Sequence, residues 1–128
     1  MKLLLDTHTF IWWDSTPAKL SAAALALCGD PANQLVLSVT SLWEIQIKGQ
    51  LGKLDLRLPL AEIVAHQQET NGLVILPIVQ AHVLALEALP LHHRDPFDRL
   101  LVAQALVEGA ALVSADPALK AYSVDIRW

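Results

Sequence analysis

The sequence predicts an α/β domain: a three-layer α/β/α sandwich with a central, mostly parallel sheet, occupying residues 1–128 as one unit. Two observations carry this. Short apolar runs recur at residues 3–5, 35–39, 73–76 and 110–114, and each is continuous rather than alternating, the pattern of strands buried on both faces. Segments of helical length and composition separate them, so strand follows strand through right-handed helical crossovers. A length of 128 residues is ample for one such core.

Taken in order, residues 3–5 form the first strand and end at Asp6, the sheet edge where open parallel α/β folds bind ligands. Residues 7–13 follow as a helix bearing Phe10, Ile11, Trp12 and Trp13. Two adjacent tryptophans cannot share one helix face, so one of them turns toward another element or a partner. After a break at Thr16-Pro17, residues 21–28 read as an Ala/Leu helix capped by Ser21, and Gly29-Asp30-Pro31 is its turn. The strand at 35–39 leads to a helix capped by Thr40 or Ser41 and reaching about residue 50.

Within that helix Glu44 and Lys48 sit one turn apart in the favourable order, which by itself describes a surface ion pair. Leu42, Trp43, Ile45 and Ile47 surround Glu44, however, and leave little of the helix wet, so a partly buried carboxylate is an equal reading. A loop over 53–59 precedes a helix at about 60–70, where His66 is expected on the surface. Asn71-Gly72 is a turn, 73–76 the third strand, and 78–89 a helix in which His82 is expected as surface or satisfied core.

The segment 93–106, His-Arg-Asp-Pro-Phe-Asp-Arg followed by Leu-Leu-Val-Ala-Gln-Ala-Leu, is the most informative in the chain. Pro96 suits a first helical position and makes Asp95 an N-cap, with Asp98 in the first turn. Asp98 also heads an apolar stripe through Leu101, Val102 and Ala105, which desolvates it and calls for a cation. The helix stops at Gly109, the fourth strand follows, and Asp116-Pro117 repeats the capping pattern. Residues 124–126 are a weak last strand.

In a parallel sheet each crossover helix runs antiparallel to the strand it feeds. Asp6 and Asp116 then end strands, while Glu44, Asp95 and Asp98 lie in opening turns of helices. All five fall on one edge. Carboxylates that share an edge repel and raise one another's pKa unless a cation intervenes. Oxygen ligands alone favour Mg²⁺ or Mn²⁺, one or two ions, over zinc; His92 and His93 with an acid offer a zinc alternative, although adjacent histidines seldom ligate one ion. Such a site suits hydrolysis of a phosphodiester.

Composition narrows the partners. Nine basic and thirteen acidic residues give a net charge of −4, which argues against binding nucleic acid by bulk positive charge. Hydrophobic residues make up 54% and mean hydropathy is +0.42, a hint of apolar surface covered by a partner. No apolar run approaches a membrane span, and Asp6 interrupts residues 1–5 before they could act as a leader. The lone Cys28 fits a reducing cytoplasm and a small buried hydrophobe.

Four segments together resemble the PIN-domain ribonucleases, and more narrowly the VapC-type toxins of bacterial toxin–antitoxin pairs. They are Leu-Leu-Leu-Asp6-Thr7, Ser-Val-Thr40-Ser-Leu-Trp-Glu44-Ile-Gln-Ile-Lys48, His-Arg-Asp95-Pro-Phe-Asp98-Arg-Leu-Leu-Val-Ala-Gln-Ala, and Leu-Val-Ser114-Ala-Asp116. Each motif alone is weak, but four in series at the expected spacing are strong. The resemblance implies an acidic quartet of Asp6, Glu44, Asp98 and Asp116 and Mg²⁺- or Mn²⁺-dependent endonucleolytic cleavage of RNA. It also implies inhibition by a cognate antitoxin, and a homodimer. Asp95, Ser114 and Thr7 are possible accessory residues, Asp95 as ligand or as cap only. Lys48, Arg94 and Arg99 are candidate contacts to RNA phosphates.

Other readings fit less well. A housekeeping RNA-processing nuclease of the same family would share the site. A phosphatase of the haloacid dehalogenase type expects an acid where His8 stands, and a response-regulator receiver domain expects paired acids after its first strand and has no counterpart of Glu44. In a non-catalytic binding module the acids would only hold the fold.

Overall fold

A computed structural model describes all 128 residues. Five strands, β1 (Lys2–Leu5), β2 (Gln34–Ser38), β3 (Val74–Leu76), β4 (Ala111–Val113) and β5 (Ile126–Arg127), form one sheet in the order β3-β2-β1-β4-β5. Every pairing is parallel, as continuous apolar runs require when both faces are covered. Six helices connect them: α1 (Thr7–Ser15), α2 (Ala22–Gly29), α3 (Val39–Gln50), α4 (Leu60–Asn71), α5 (Gln80–Ala85) and α6 (Pro96–Glu108).

The alternation of side chains along the strands divides the core. Leu3, Leu5, Leu35, Leu37, Ala111 and Val113 face one way and pack with Phe10 of α1, Ala24 and Cys28 of α2, Ile45 of α3 and Ile63 of α4. Leu4, Val36 and Leu112 face the other way, against Leu101, Val102 and Ala105 of α6 and against Leu119 and Tyr122. Helices thus cover both faces, which gives the three layers expected. The chain steps outward from β1 through β2 to β3, then returns to lay β4 on β1's other edge. The strand order therefore reverses between β1 and β4, and a crevice opens beyond their carboxyl ends.

Local details depart from the sequence expectations in three places. The cap of α3 is Ser38, whose hydroxyl accepts from Thr40 N–H at 2.9 Å, not Thr40 or Ser41; the hydroxyls of those two residues face other elements, and Val39 joins the helix rather than the strand. The helix expected over 78–89 is shorter: α5 begins only at Gln80, because the Val79 N–H donates to His82 Nδ1. Beyond Ala85 the chain tightens into a 3₁₀ turn. The last strand is Ile126–Arg127 rather than 124–126, and Asp125 contributes only its carbonyl, to Leu112 N–H. Ser21 and Asp95 cap α2 and α6 as expected, and Gly72 and Gly109 end α4 and α6 with φ of 65° and 63°.

Candidate active site

The crevice between β1 and β4 is built from acids whose backbone is fixed by the sheet. Asp6 follows β1 directly, its N–H bonded to Val113 O of β4 at 3.1 Å, and its side chain is buried. Asp6 Oδ1 accepts from Thr9 N–H at 2.8 Å and so caps α1. Asp116 follows β4. Its Oδ1 accepts from Ala118 N–H at 2.9 Å, capping the 3₁₀ turn at Pro117–Ala121. The two acids line one cavity of about 250 Å³, together with His8, Trp12 and Ala115. In each, a backbone N–H orients the carboxylate through Oδ1.

Glu44 lies in the second turn of α3 and is buried. Thr7 Oγ1 donates to its Oε1 at 2.6 Å, and Lys48 Nζ donates to its Oε2 at 2.6 Å. Of the two readings of the Glu44–Lys48 pair, the structure shows the buried carboxylate, with a lysine only partly exposed. Ser41 packs its hydroxyl 3.0 Å from Thr7 Oγ1, so Thr7 ties the segment after Asp6 to α3.

Asp98, in the first turn of α6, is the electrostatic centre. Burial pushes its pKa up and the charge of Asp95 pushes further, against a lowering hydrogen bond from His93; the charges of Asp6 and Glu44 add to the rise, and the group reaches about 6. Acids from three separate segments, the starts of α1 and α6 and the second turn of α3, therefore act on Asp98. Asp116 joins them through His93, whose Nε2 is 2.8 Å from Asp98 Oδ2 and 3.5 Å from Asp116 Oδ2. Ligating atoms of His93, Asp98 and Asp116 lie within 4.8 Å of one another.

The remaining candidates divide. Asp95 caps α6, with Oδ1 accepting from Phe97 N–H at 2.8 Å and from Asp98 N–H at 3.3 Å, and it reaches the cluster through its charge. Ser114 is buried and its Oγ accepts from Asp116 N–H at 3.1 Å, which fixes the turn presenting that acid. Lys48 is committed to Glu44 and Arg94 is exposed. Arg99 directs its guanidinium to Pro90 O, Leu86 O and the Tyr122 hydroxyl, so it secures the loop before α6 rather than facing the crevice as an open cation. His92 turns away from His93 and stacks edge-on against Tyr122 at 5.2 Å, so the paired-histidine zinc arrangement is not formed.

Two contributors went unread in the sequence. His93 was weighed only as half of that pair; its place one residue before the Arg-Asp-Pro-Phe-Asp run was the available signal. Gln104 is fully buried, and its Oε1 accepts from the hydroxyls of Ser38 and of Thr40, the latter at 3.1 Å. Its Nε2 reaches Pro77 O at 3.4 Å and His82 Nδ1 at 3.3 Å. Gln104 thereby joins α6, which carries Asp98, to the start of α3, which carries Glu44. A single glutamine in an apolar helix gives no hint of this.

A donor set of clustered carboxylate oxygens with one imidazole at its rim fits a divalent cation. The close approach of His93, Asp98 and Asp116 asks for one, since burial and then the neighbouring acids oppose ionisation of Asp98.

Comparison with known proteins agrees with this architecture. Ribonuclease VapC22 of Mycobacterium tuberculosis is 32% identical over 124 residues, 94% of this chain and 91% of that protein. The fold matches that of VapBC2 from Rickettsia felis, solved bound to a DNA fragment from its promoter, with a TM-score of 0.72 at 15% identity over 99% of this chain and 98% of the other. It also matches VapBC-1 from nontypeable Haemophilus influenzae, with a TM-score of 0.61 at 17% identity over 99% and 97% of the two chains. The family model described as PIN domain matches residues 3–124. Spanning both the acids that end the central strands and those that open α3 and α6, that match shows that the chain belongs to the PIN domain family.

Proposed function

We propose that this protein is a metal-dependent endoribonuclease acting as the toxin of a toxin–antitoxin pair. The observation that carries the chemistry is the convergence of ligand atoms from His93, Asp98 and Asp116 within 4.8 Å of one another, with burial and the charges of Asp95, Asp6 and Glu44 pushing the Asp98 pKa up to about 6. A site that only supported the fold would gain nothing from such mutual repulsion.

Asp6, Asp98 and Asp116 would hold the ion, which we take to be Mg²⁺ or Mn²⁺ because oxygen donors dominate, with Glu44 beside them. Bound there, it would supply positive charge to a phosphodiester and make water a stronger nucleophile. The chain's own residues do the rest. Thr9 N–H and Ala118 N–H hold Asp6 and Asp116 by one oxygen each, so neither carboxylate must reorganise when substrate arrives. Thr7 and Lys48 fix Glu44 by both oxygens, which suits it to orient water or a neighbouring ligand. His93 bridges Asp98 and Asp116 and keeps their separation small. Arg94, exposed beside His93, is the better placed of the expected arginines to meet an RNA phosphate.

An antitoxin partner belongs to the same reading, since the fold neighbours are VapBC complexes. It is supported by an apolar groove between α3 and α4, lined by Val39, Leu42, Trp43, Leu60 and Val64, with Trp43 57% exposed on the helix that carries Glu44. A homodimer and a cytoplasmic location complete the proposal. No helix is long and apolar enough to cross a membrane, and Cys28 is a free, buried thiol.

The test is incubation of purified protein with structured RNAs in Mg²⁺ or Mn²⁺ and in chelator, beside Asp6→Asn. Cleavage should require the ion and disappear in the variant while its melting remains cooperative. Full metal-dependent cleavage by Asp6→Asn would overturn the mechanism. Relief of growth arrest by a small protein encoded beside this one separates the toxin role from RNA processing.

A further inference from the structure

The cavity that joins Asp6 to Asp116 is lined by two aromatic rings as well. His8 and Trp12, one turn apart on α1, both line it, with ring centroids 5.9 Å apart and planes tilted by 43°. His8 is exposed. Trp12 is braced by Trp128, at 6.0 Å between centroids, and Lys19 places its ammonium 5.9 Å from the Trp12 ring. Trp13, half-buried like Trp12, packs on the core residue Phe10 at 6.4 Å. Both adjacent tryptophans pack against the same apolar core, but Trp12 alone of the two also lines the acidic cavity.

Packing accounts for the bracing of Trp12, and helical spacing accounts for its contact with His8. Neither accounts for a cavity of about 250 Å³ that two carboxylates and two aromatic rings line together. We propose that this cavity is a nucleobase subsite: an unpaired base next to the scissile phosphate stacks on His8 and Trp12 while that phosphate lies over Asp6 and Asp116. The inference rests on the ribonuclease reading and deepens it by assigning His8 and Trp12 to the base beside the scissile phosphate.

The chemistry favours a base. Every nucleobase offers a π face to an aromatic wall, and a phosphate held over the acids leaves its own nucleoside within reach of the adjoining cavity. Lys19 supplies a cation beside Trp12 for the next phosphate along, local positive charge in a chain of net −4. In A-form duplex the bases are stacked and paired, so a paired cut site cannot present one to this wall.

The test compares two RNAs of one sequence, chosen from the cut sites found in a randomised single-stranded pool. One is intact and the other abasic at the nucleotide flanking the cut. With intact RNA, His8→Ala and Trp12→Leu should each lower kcat/KM, by about tenfold for Trp12→Leu. With abasic RNA wild type should already be slow and neither variant slower. Annealing a complementary strand across the cut should suppress cleavage. Equal losses on both RNAs would make the residues structural and overturn the subsite, as would undiminished cleavage of the duplex. Loss of antitoxin binding with RNA cleavage untouched would assign the cavity to a protein instead and likewise overturn it. Absence of cleavage by wild type on any RNA would strike at the ribonuclease reading, an outcome distinct from these.

Discussion

Asp98 is ionised at neutral pH only against the combined resistance of burial and of Asp95, Asp6 and Glu44. Its folded pKa of about 6 lies above the model-peptide value of 3.8, so between those two values the folded state binds more protons than the unfolded state. Stability of metal-free protein must then fall as pH rises from about 4 to 6. Asp98→Asn removes the penalty. Allowing for partial solvent screening, it should stabilise the metal-free protein by about 1–2 kcal/mol above pH 6 and by little below pH 4, while abolishing cleavage. Urea melts across that range check the sign. Asp14 gives the opposite case: burial raises its pKa, but hydrogen bonds from Arg57 and Gln67 and the charge of Arg57 more than offset this and hold it below the usual carboxylate range. Arg57→Ala should therefore lower Tm at neutral pH, and the difference should shrink as acid protonates Asp14 in both proteins.

At the scale of elements, the site depends on how α3 and α6 are held together. Gln104 gathers Ser38, Thr40, Pro77 and His82 around one amide, and His82 Nε2 continues the chain to Glu108 at 2.9 Å. The hydrogen bond from His82 keeps the Glu108 pKa low. No buried polar side-chain atom is left without a partner. Gln104→Leu keeps the volume but leaves the Thr40 hydroxyl without a partner and takes the acceptor from the Ser38 hydroxyl, and should cost about 2 kcal/mol in denaturant unfolding. Its cleavage rate should fall even where the protein remains folded, because Glu44 and Asp98 lose their common anchor. The helix ends are simpler. Gly109 closes α6 at φ 63°, and Gly109→Ala should cost about 1 kcal/mol by thermal melting with no effect specific to cleavage.

For the whole molecule, gathering like charges in one crevice makes stability depend on what fills it. Titrating Mg²⁺ or Mn²⁺ into chelator-treated protein should raise Tm progressively, by about 2.7 kcal/mol of stabilisation at a hundredfold excess over Kd. Asp6→Asn should blunt that rise. A Tm indifferent to divalent ions would mean that the acids do not share a cation.

The apolar runs were sufficient to indicate a parallel three-layer fold, because a strand covered on both faces has no alternating pattern to hide. The acids at strand ends and helix starts were legible for a related reason: a parallel sheet has one carboxyl edge, and residues at those positions reach it wherever they fall in the chain. Ser21, Asp95 and Gly109 were readable as caps because capping is local chemistry. What no local pattern encodes was decided by packing. Ser38 rather than Thr40 caps α3 because the helix starts at Val39 and Gln104, 66 residues away, takes the Ser38 hydroxyl proton and leaves its oxygen to accept from Thr40 N–H. Arg99 was taken up by the carbonyls of a preceding loop, and His93, not His92, turned to the acids. The sequence alone determined which chemistry this protein carries and on which edge. The tertiary structure decided which side chains meet at that edge, since hydrogen-bond partners distant along the chain are assigned only when the layers close.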